Sequence, residues 1–363
     1  EQLTLLKGLG ATTVRSYGGD PGPLLAEAGR VGLKVIVGLW LEHPRRGFDY
    51  NNRAAVEAQL GTFRARVERY RDSPALLAWG IGNEVEAELA DPSPVWPAIE
   101  EAARLVKSLD PRHPTMAVLQ EVGGDKARII KERAPSIDVL GVNSYGDAIP
   151  SLPTRVRAQG WTGPLVVSEI GALGQWQAAR SPWNAAIEPT STEKAQRLRR
   201  YLAALEEADA GQIVFLWGRK QEVTPTWHSQ LLPTGEWQQS AEAMAAVWGG
   251  ATPGANHAPR IGALRLEPGT VWTHENQARA TLDASDPDGD RLAVEWRILE
   301  ESTELKVAGD AESVPPDRSA ALREAGSHGA RIEGLEPGNY RLFAYVRDGR
   351  GGGATANVPF QVR

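Results

Sequence analysis

Up to about residue 250, the chain alternates short apolar runs with longer amphipathic stretches. An apolar run of about four to eight residues without polar alternation is typical of a strand that is buried on both faces. The stretches between the runs repeat apolar residues at helical spacing. The pattern predicts seven strands, at residues 11–18, 33–40, 75–84, 115–119, 137–143, 165–169 and 212–217.

Strands that alternate strictly with helices predict an α/β fold with a parallel sheet. A closed (β/α)8 TIM barrel needs eight strands, so we expect the first strand to lie upstream of Glu1. The alternative is an open, doubly wound sheet of seven strands. No Gly-x-Gly-x-x-Gly follows the first predicted strand, which counts against a dinucleotide-binding sheet.

The pattern changes after Trp248. Residues 251–259 are rich in Gly and Pro, which predicts a linker. From residue 260 the chain shows short alternating runs, which are separated by turn signals such as Asp286-Pro-Asp-Gly. Alternation with a period of two predicts a small all-β, immunoglobulin-like sandwich at 260–363. We therefore expect a barrel domain at 1–250, a linker and an accessory domain.

Composition excludes several classes of protein. The net charge of −6 has the wrong sign for a nucleic-acid binder, and without cysteine there is no disulfide framework. No apolar run approaches the roughly 18 residues of a membrane span. Twelve tryptophans against five phenylalanines suit the flat faces of sugars, although buried core tryptophan is the alternative. Together with the appended sandwich, the lack of cysteine favours an extracytoplasmic location, periplasmic or secreted.

Two of the predicted strands end in a glutamate, Glu84 and Glu169. In a parallel barrel, that end of each strand opens onto the active-site face. Two carboxylates on facing strands suit glycoside hydrolysis, in which one protonates the leaving oxygen and the other attacks the anomeric carbon or activates water. A single glutamate at a strand end is as often structural, so the argument rests on the pair.

The stretch Trp79-Gly-Ile-Gly-Asn83-Glu84 resembles the Asn-Glu signature of clan A glycoside hydrolases, and Ser168-Glu169-Ile-Gly171 resembles their second glutamate. The longer pattern from Arg64 is most similar to the barrels of family 2. The resemblance implies a retaining (β/α)8 enzyme with Glu84 as acid/base and Glu169 as nucleophile. Counting the expected upstream strand as the first, they end strands four and seven. Retention predicts carboxyl groups about 5–5.5 Å apart, and about 8 Å or more would exclude it.

Other residues near strand ends fit supporting roles. Arg15 is expected to hydrogen-bond Glu169 and keep it ionised, or to stabilise the barrel rim. Asn83 is expected to bind the sugar 2-hydroxyl. Tyr145 resembles the clan's tyrosine that hydrogen-bonds the nucleophile, and Trp217 the aromatic floor under the cleaved sugar. Both could instead be packed aromatic residues.

A further group follows strand ends or lies on loops expected at the same face. The resemblance implies substrate binding by Glu42 and His43, after the third strand. Loop residues at the same face are candidates too, namely Trp176, Trp183, Trp227 and His228.

No cofactor is expected, because the six histidines show no metal-ligand spacing. In the second domain, Asp283-Ala-Ser-Asp-Pro-Asp-Gly-Asp290 is dense in carboxylates. It resembles a turn of the polycystic-kidney-type sandwiches. The segment Asp286–Asp290 could bind a structural calcium ion, or it could be an ordinary turn with solvated charges, which we favour.

These observations predict a retaining glycoside hydrolase or transglycosidase that acts on a β-glucan or a related β-linked oligo- or polysaccharide. The alternative is a non-catalytic carbohydrate-binding protein on a barrel scaffold. An α/β enzyme of another class would need a different motif, and the sequence contains no Gly-x-Ser-x-Gly and no phosphate loop.

Overall fold

The computed structural model describes residues 1–306 and 309–363. They form two compact units, one made of residues 1–170 and 201–214 and the other of residues 171–200 and 215–363. This partition differs from the predicted boundary at 250, because residues 171–200 and 215–250 group with the sandwich. The functional division at 250 stays a prediction. Within the described residues, no helix is both long and apolar enough to cross a membrane.

The first unit contains a parallel sheet with all seven predicted strands in sequence order. Register continues between neighbours, for example with Val14 opposite Val35 and Ile81 opposite Ala117. The strands are β1 (Thr13–Arg15), β2 (Lys34–Leu39), β3 (Leu76–Ile81), β4 (Thr115–Gln120), β5 (Val139–Tyr145), β6 (Leu165–Gly171) and β7 (Gly211–Val214).

Helices connect the strands, as the alternating pattern predicts. They begin and end at capping residues, for example at Asn52, whose side chain accepts the Ala55 N–H, and at left-handed Gly32. No helix was predicted between the strands at 137–143 and 165–169, where the structure has a short one, Leu152–Ala158. The helices are α1 (Gln2–Gly8), α2 (Gly22–Val31), α3 (Arg53–Tyr70), α4 (Val95–Leu109), α5 (Lys126–Arg133), α6 (Leu152–Ala158), α7 (Ser191–Glu207) and α8 (Gln239–Trp248).

The sheet curls into a nearly closed barrel. In a flat sheet, strands β1 and β6 would lie about 24 Å apart, because neighbouring strands are spaced by about 4.8 Å. The guanidinium of Arg15 on β1 instead donates to the carbonyl oxygen of Ser168 on β6 over 3.0 Å. The open, doubly wound alternative is therefore wrong, and side chains from opposite strands can meet at one end.

The barrel interior is filled by side chains from successive strands. Buried Ile36, Ala78, Met116 and Val118 pack with half-buried side chains of the later strands, namely Val139, Val166 and Ile213. These positions come from six different strands, as expected for inward-pointing residues of a small barrel. The carboxyl ends of the strands lie beyond this apolar layer.

The second unit contains a sandwich of two four-stranded sheets, with the orders β12-β13-β10-β8 and β11-β14-β15-β9. Its core includes a stacked pair, Trp272 on Phe360, with ring centroids 4.7 Å apart. The strands are β8 (Arg260–Glu267), β9 (Val271–Trp272), β10 (Ala278–Ser285), β11 (Ala293–Glu300), β12 (Leu322–Arg323), β13 (Gly329–Ile332), β14 (Gly338–Arg347) and β15 (Gly353–Val362).

The predicted linker at 251–259 packs inside the second unit. Asn256 and Ala258 are buried. The Asn256 amide donates to Asp348 over 2.7 Å, and the Ala258 N–H donates to Glu242 over 2.7 Å. The Gly and Pro content of this segment correctly predicted an irregular backbone, but tertiary hydrogen bonds make the segment part of a folded unit.

Buried polar side chains hold the second unit together. Glu188 is buried, yet its carboxylate is fully engaged by an ammonium, two hydroxyls and an amide, those of Lys194, Thr224, Thr226 and Asn357. Burial alone would raise the pKa of Glu188, but Lys194 and these hydrogen bonds leave it below its usual value. Charge on this carboxylate is therefore part of the folded state.

Two adjacent ion pairs allow a direct stability test. Arg341 is 2% exposed and donates to Glu301 over 2.7 Å, whereas Arg318 is half exposed and donates to Glu300 over 2.6 Å. We expect Arg341→Ala to lower the free energy of unfolding by about 3 to 5 kcal/mol, because it leaves Glu301 partly buried and unpaired. Arg318→Ala should cost at most about 1 kcal/mol. Urea denaturation measures both, and equal losses would contradict the assignment.

Candidate active site

Glu84 lies three residues beyond the end of β3, in a tight left-handed turn. The strand ends at Ile81, not at Glu84 as predicted. Gly82 has a φ of 69° and Glu84 a φ of 50°, and the Glu84 N–H donates to the carbonyl of Val118 over 2.9 Å. Positive φ is unfavourable for glutamate, so the surrounding structure imposes this conformation. The turn carries the Glu84 side chain into the barrel end.

Glu169 lies within β6, at an irregularity of the strand. The register between β6 and β7 shifts between Val167 and Ile170. Regular alternation would send Ser168 and Glu169 to opposite faces. Here the Ser168 hydroxyl donates to Asn143 over 2.8 Å, and the Glu169 carboxylate joins the same polar network. Irregular pairing of this kind commonly redirects a side chain beside an active site.

The carboxylate of Glu169 accepts hydrogen bonds on both oxygens. Tyr145 donates to Oε2 over 2.5 Å, and Tyr17 donates to Oε1 over 2.9 Å. Arg15 also approaches Oε1, at 3.4 Å. The predicted contacts of Arg15 and Tyr145 with Glu169 are therefore present in the structure. Tyr17 was missed, although Arg15-x-Tyr17 has the spacing that places two side chains on one face of a strand.

Amide side chains connect the two glutamates. Asn143 donates to Glu84 over 2.8 Å and to the amide oxygen of Asn83 over 3.2 Å. Arg15 donates to the same Asn83 oxygen over 2.7 Å. Because that oxygen accepts twice, the Asn83 NH2 group is the part left to donate, and no partner for it occurs in residues 1–306 and 309–363. An outward donor of this kind suits a sugar hydroxyl.

Burial sets the electrostatics of the pair. Glu84 and Glu169 are each 7% exposed. Burial, and then the neighbouring charge of Glu169, raise the pKa of Glu84 to about 8. Burial also raises the pKa of Tyr17 and of Tyr145 well above that of an ordinary phenol, so both keep their protons. The site thus presents a neutral carboxylic acid beside a carboxyl group that is surrounded by hydrogen-bond donors.

A third carboxylate, Glu86, supports the turn that carries Glu84. It is buried, and its Oε1 accepts from the Gln120 N–H and from Lys126, each over 2.9 Å. These bonds tie the turn after β3 to the end of β4. Glu86 was missed, and the signal was a second glutamate two positions after the first.

Glu42 and His43 have different environments. The Glu42 side chain is exposed, and its backbone N–H donates to Gln59 over 2.7 Å. His43 is buried, with its ring centroid 5.0 Å from that of Trp40. Burial, followed by Arg45 and Arg46, lowers the pKa of His43 to about 4, so the imidazole is neutral. The backbone of Asn83 lies beside the His43 imidazole, and the substrate-binding role of Glu42 and His43 stays a prediction.

The predicted aromatic residues of the second unit differ in exposure. Trp176 is 58% exposed, and its ring lies so close to Gly174 that a Cβ there would be 2.5 Å from it. Trp183 is half-buried and lines an open pocket of about 440 Å³. Trp217 is half-buried in the loop after β7. Trp176 is thus presented as an exposed, closely supported ring.

Trp227 and His228 are buried within the second unit. Trp227 packs on Ala186 and Val223, and its indole N–H donates to the Leu173 carbonyl over 2.9 Å. This is the environment of a core tryptophan. Burial lowers the pKa of His228 to about 4, although nearby Glu222 opposes the shift. Sugar contacts by these two residues remain predictions.

The acidic turn of the sandwich brings three carboxylates together. Oxygens of Asp286, Asp288 and Asp290 lie within 4.8 Å of one another. One Asp286 oxygen accepts the N–H groups of Asp288 and Asp290, and Asp288 is bonded to His257 over 3.0 Å. The donor set is the oxygen-rich kind that calcium prefers. The hydrogen bonds are equally those of a self-supporting turn.

Known proteins match a short stretch of the chain in sequence. No family model matches the chain. A mannan endo-1,4-beta-mannosidase F from Aspergillus clavatus is 34% identical over 64 residues, which cover 18% of this chain and 15% of that protein. A probable mannan endo-1,4-beta-mannosidase A-2 from Aspergillus terreus is 38% identical over 64 residues, or 16% of its length. The matches span a small part of both relatives.

Solved structures match over much more of the chain. A beta-D-glucuronidase from Dictyoglomus thermophilum has a TM-score of 0.54 at 21% identity, over 68% of this chain and 46% of its own. A GH2 beta-galacturonidase from Eisenbergiella tayi has a TM-score of 0.52 at 17% identity, over 68% of this chain and 46% of its own. A Bacteroides uniformis beta-glucuronidase has a TM-score of 0.50 at 15% identity, over 99% of this chain and 43% of its own. The chain spans less than half of each, and the Bacteroides uniformis enzyme, matched over 99% of the chain, shares with it a barrel followed by a β-sandwich.

Proposed function

We propose that the chain is the catalytic part of a retaining glycoside hydrolase or transglycosidase that acts on β-linked sugars. One observation carries the proposal, namely two buried glutamates at the carboxyl ends of barrel strands in opposite environments. Glu84 is a carboxylic acid with a pKa raised to about 8, and Glu169 accepts hydrogen bonds from two phenols and an arginine. Double displacement requires this division of roles.

In the first step, a carboxylate oxygen of Glu169 attacks the anomeric carbon. The bond to the leaving oxygen breaks, and Glu84 gives that oxygen its proton. A covalent ester between the sugar and Glu169 results. The Asn83 NH2 group is placed to donate to a hydroxyl of the same sugar. Such a contact strengthens as positive charge develops at the anomeric carbon.

In the second step, Glu84 acts as a base. Esterified Glu169 no longer carries charge, so the repulsion that raised the pKa of Glu84 is relieved. Glu84 then takes a proton from water or from a sugar hydroxyl, which attacks the anomeric carbon and releases Glu169. Water gives hydrolysis and a sugar gives transglycosylation. An exposed aromatic ring such as Trp176 suits the stacking of an acceptor sugar.

The substrate class rests on the similar proteins. Their names specify β-linked mannan, glucuronide and galacturonide substrates, and all of these contain β-glycosidic bonds or uronic acids. We propose a β-glucan or a related oligosaccharide, with glucose, mannose and uronic acid as the sugars to test. An extracytoplasmic location remains part of the proposal, because the appended sandwich and the lack of cysteine favour it.

The second candidate is a carbohydrate-binding protein without catalysis. The barrel would then serve as a scaffold, and a pure binder has no need for a carboxyl group with a pKa near 8. The observation that favours this candidate is the exposed Trp176 ring, which would serve binding equally well. The experiments below separate the two candidates.

Glu169→Gln removes the proposed nucleophile. We expect the wild-type protein to convert members of a panel of β-linked gluco-, manno- and glucurono-oligosaccharides into shorter or longer products. The rate of conversion should fall at least roughly 1,000-fold in the variant. Product analysis by chromatography measures this, with exposed Glu57→Gln as the matched control.

The stereochemistry of the first product tests the mechanism itself. Proton NMR of the sugar formed in the first minutes should show the β-anomer, because two displacements retain configuration. An α-anomer would exclude the retaining mechanism, and binding of these sugars without any product would favour the second candidate.

The proposed role of Glu84 makes activity depend on pH. Activity needs protonated Glu84, so kcat/KM for a substrate with a poor leaving group should fall as pH rises through about 8. In Glu84→Gln, a 2,4-dinitrophenyl β-glycoside should still form the glycosyl–enzyme, because its leaving group needs no proton. That reaction should lack the alkaline limb. If the variant kept the wild-type limb, Glu84 would not be the acid.

Calcium binding at the acidic turn can be tested by thermal unfolding. If Asp286, Asp288 and Asp290 bind calcium, millimolar calcium should raise the melting temperature of the second unit by a few degrees, and a chelator should lower it. Asp286→Asn should abolish the difference, and Asp283→Asn is the matched control. Identical melting curves with calcium and with chelator would leave only the solvated turn.

A further inference from the structure

The proposed mechanism gives Tyr17 no step of its own, yet the residue contacts the nucleophile candidate directly. Its hydroxyl donates to Oε1 of Glu169 over 2.9 Å, while Tyr145 occupies Oε2 over 2.5 Å. The two phenols come from different strand ends, those of β1 and β5. The carboxylate is therefore held through both of its oxygens.

The backbone around Tyr17 is tightly fixed. The N–H of Ser16 donates to the Ile36 carbonyl over 3.0 Å. A Cβ on Gly38 would lie 2.3 Å from the carbonyl oxygen of Tyr17, so only glycine permits this close approach of β2. A donor anchored in this way loses little conformational freedom when it binds the carboxylate.

The ring of Tyr17 is held as well. The Arg15 guanidinium lies over it, 4.3 Å from the ring centroid, while the same guanidinium reaches Glu169 and Asn83. A cation over the ring face is attractive. Burial raises the pKa of the Tyr17 phenol, so the group remains a donor across the working pH range.

We propose that Tyr17 is a second positioning residue for Glu169, which fixes the rotation of the carboxylate. The inference rests on the proposed function. When one oxygen bonds to the anomeric carbon, the other still accepts a phenol whichever oxygen attacks. Tyr17 thus makes the hold on the nucleophile two-sided, which Tyr145 alone cannot do.

The direct test measures formation of the glycosyl–enzyme. A 2-deoxy-2-fluoro β-glycosyl fluoride, in gluco, manno and glucurono forms, traps Glu169 as an ester while the bond from carbon to fluorine breaks and fluoride leaves. Intact-mass measurement follows the labelling rate without turnover. We expect Tyr17→Phe to slow labelling roughly 10- to 100-fold, with the half-saturating concentration unchanged within about 3-fold.

The pH profile separates positioning from packing. Removing a donor to a carboxylate favours its neutral form, so the acidic limb of labelling should move to higher pH in Tyr17→Phe. Tyr145→Phe should do the same from the other oxygen. Tyr70→Phe is the matched control, because Tyr70 is also a phenol bonded to a carboxylate, that of Asp20, but an exposed one.

The outcomes distinguish this inference from the proposed function. If wild type labels at Glu169 and Tyr17→Phe labels at the same rate with the same pH profile, this inference alone is overturned. If wild type neither labels nor changes any sugar, both proposals are overturned. Replacing Tyr17 by 3,5-difluorotyrosine keeps the ring and the bond but strengthens the donor. We expect the acidic limb to move in the opposite direction, and no movement would count against the inference should the Phe variant fold poorly.

Discussion

Two carboxyl groups buried side by side impose the central constraint on this fold. Each loses its hydration on burial, and both cannot carry charge without strong mutual repulsion. The structure avoids this repulsion by distributing hydrogen-bond donors unequally between the two carboxyl groups. Glu169 accepts hydrogen bonds from two phenols and an arginine. Glu84 accepts one from an amide, and its pKa is raised to about 8. The asymmetry that the proposed double displacement needs is therefore a consequence of how the two carboxyl groups are stabilised.

That solution depends on barrel curvature. The donors to Glu169 come from β1 and β5, and Glu169 itself lies on β6. Only a sheet that curls back on itself brings β1 against β6. Local irregularities then complete the geometry. They are the left-handed turn at Glu84, the register shift before Ile170 and the close approach at Gly38. Each departs from regular structure, and each lies where a polar side chain must be aimed.

The second unit uses buried charge for another purpose. Glu188 and Arg341 are both buried, and hydrogen bonds satisfy them within that unit. Neither has an exposed face for a substrate. Its aromatic residues divide in the same way, because Trp227 is packed in a core while Trp176 presents more than half of its surface. Tryptophan content alone could not have separated the exposed ring from the packed one.

Sequence by itself determined the seven strands, the change to a sandwich and the two strand-end glutamates, because hydrophobic period and turn residues act locally. It also placed Arg15 beside Glu169 by its position at a strand end, and Tyr145 by resemblance. Tyr17 and Glu86 were missed, and their partners lie 152 and 40 residues away. The packed segment at 251–259 escaped because Gly and Pro report backbone freedom, not burial. Which side chains meet was decided by the curvature of the sheet, a property of all seven strands together that no local pattern contains.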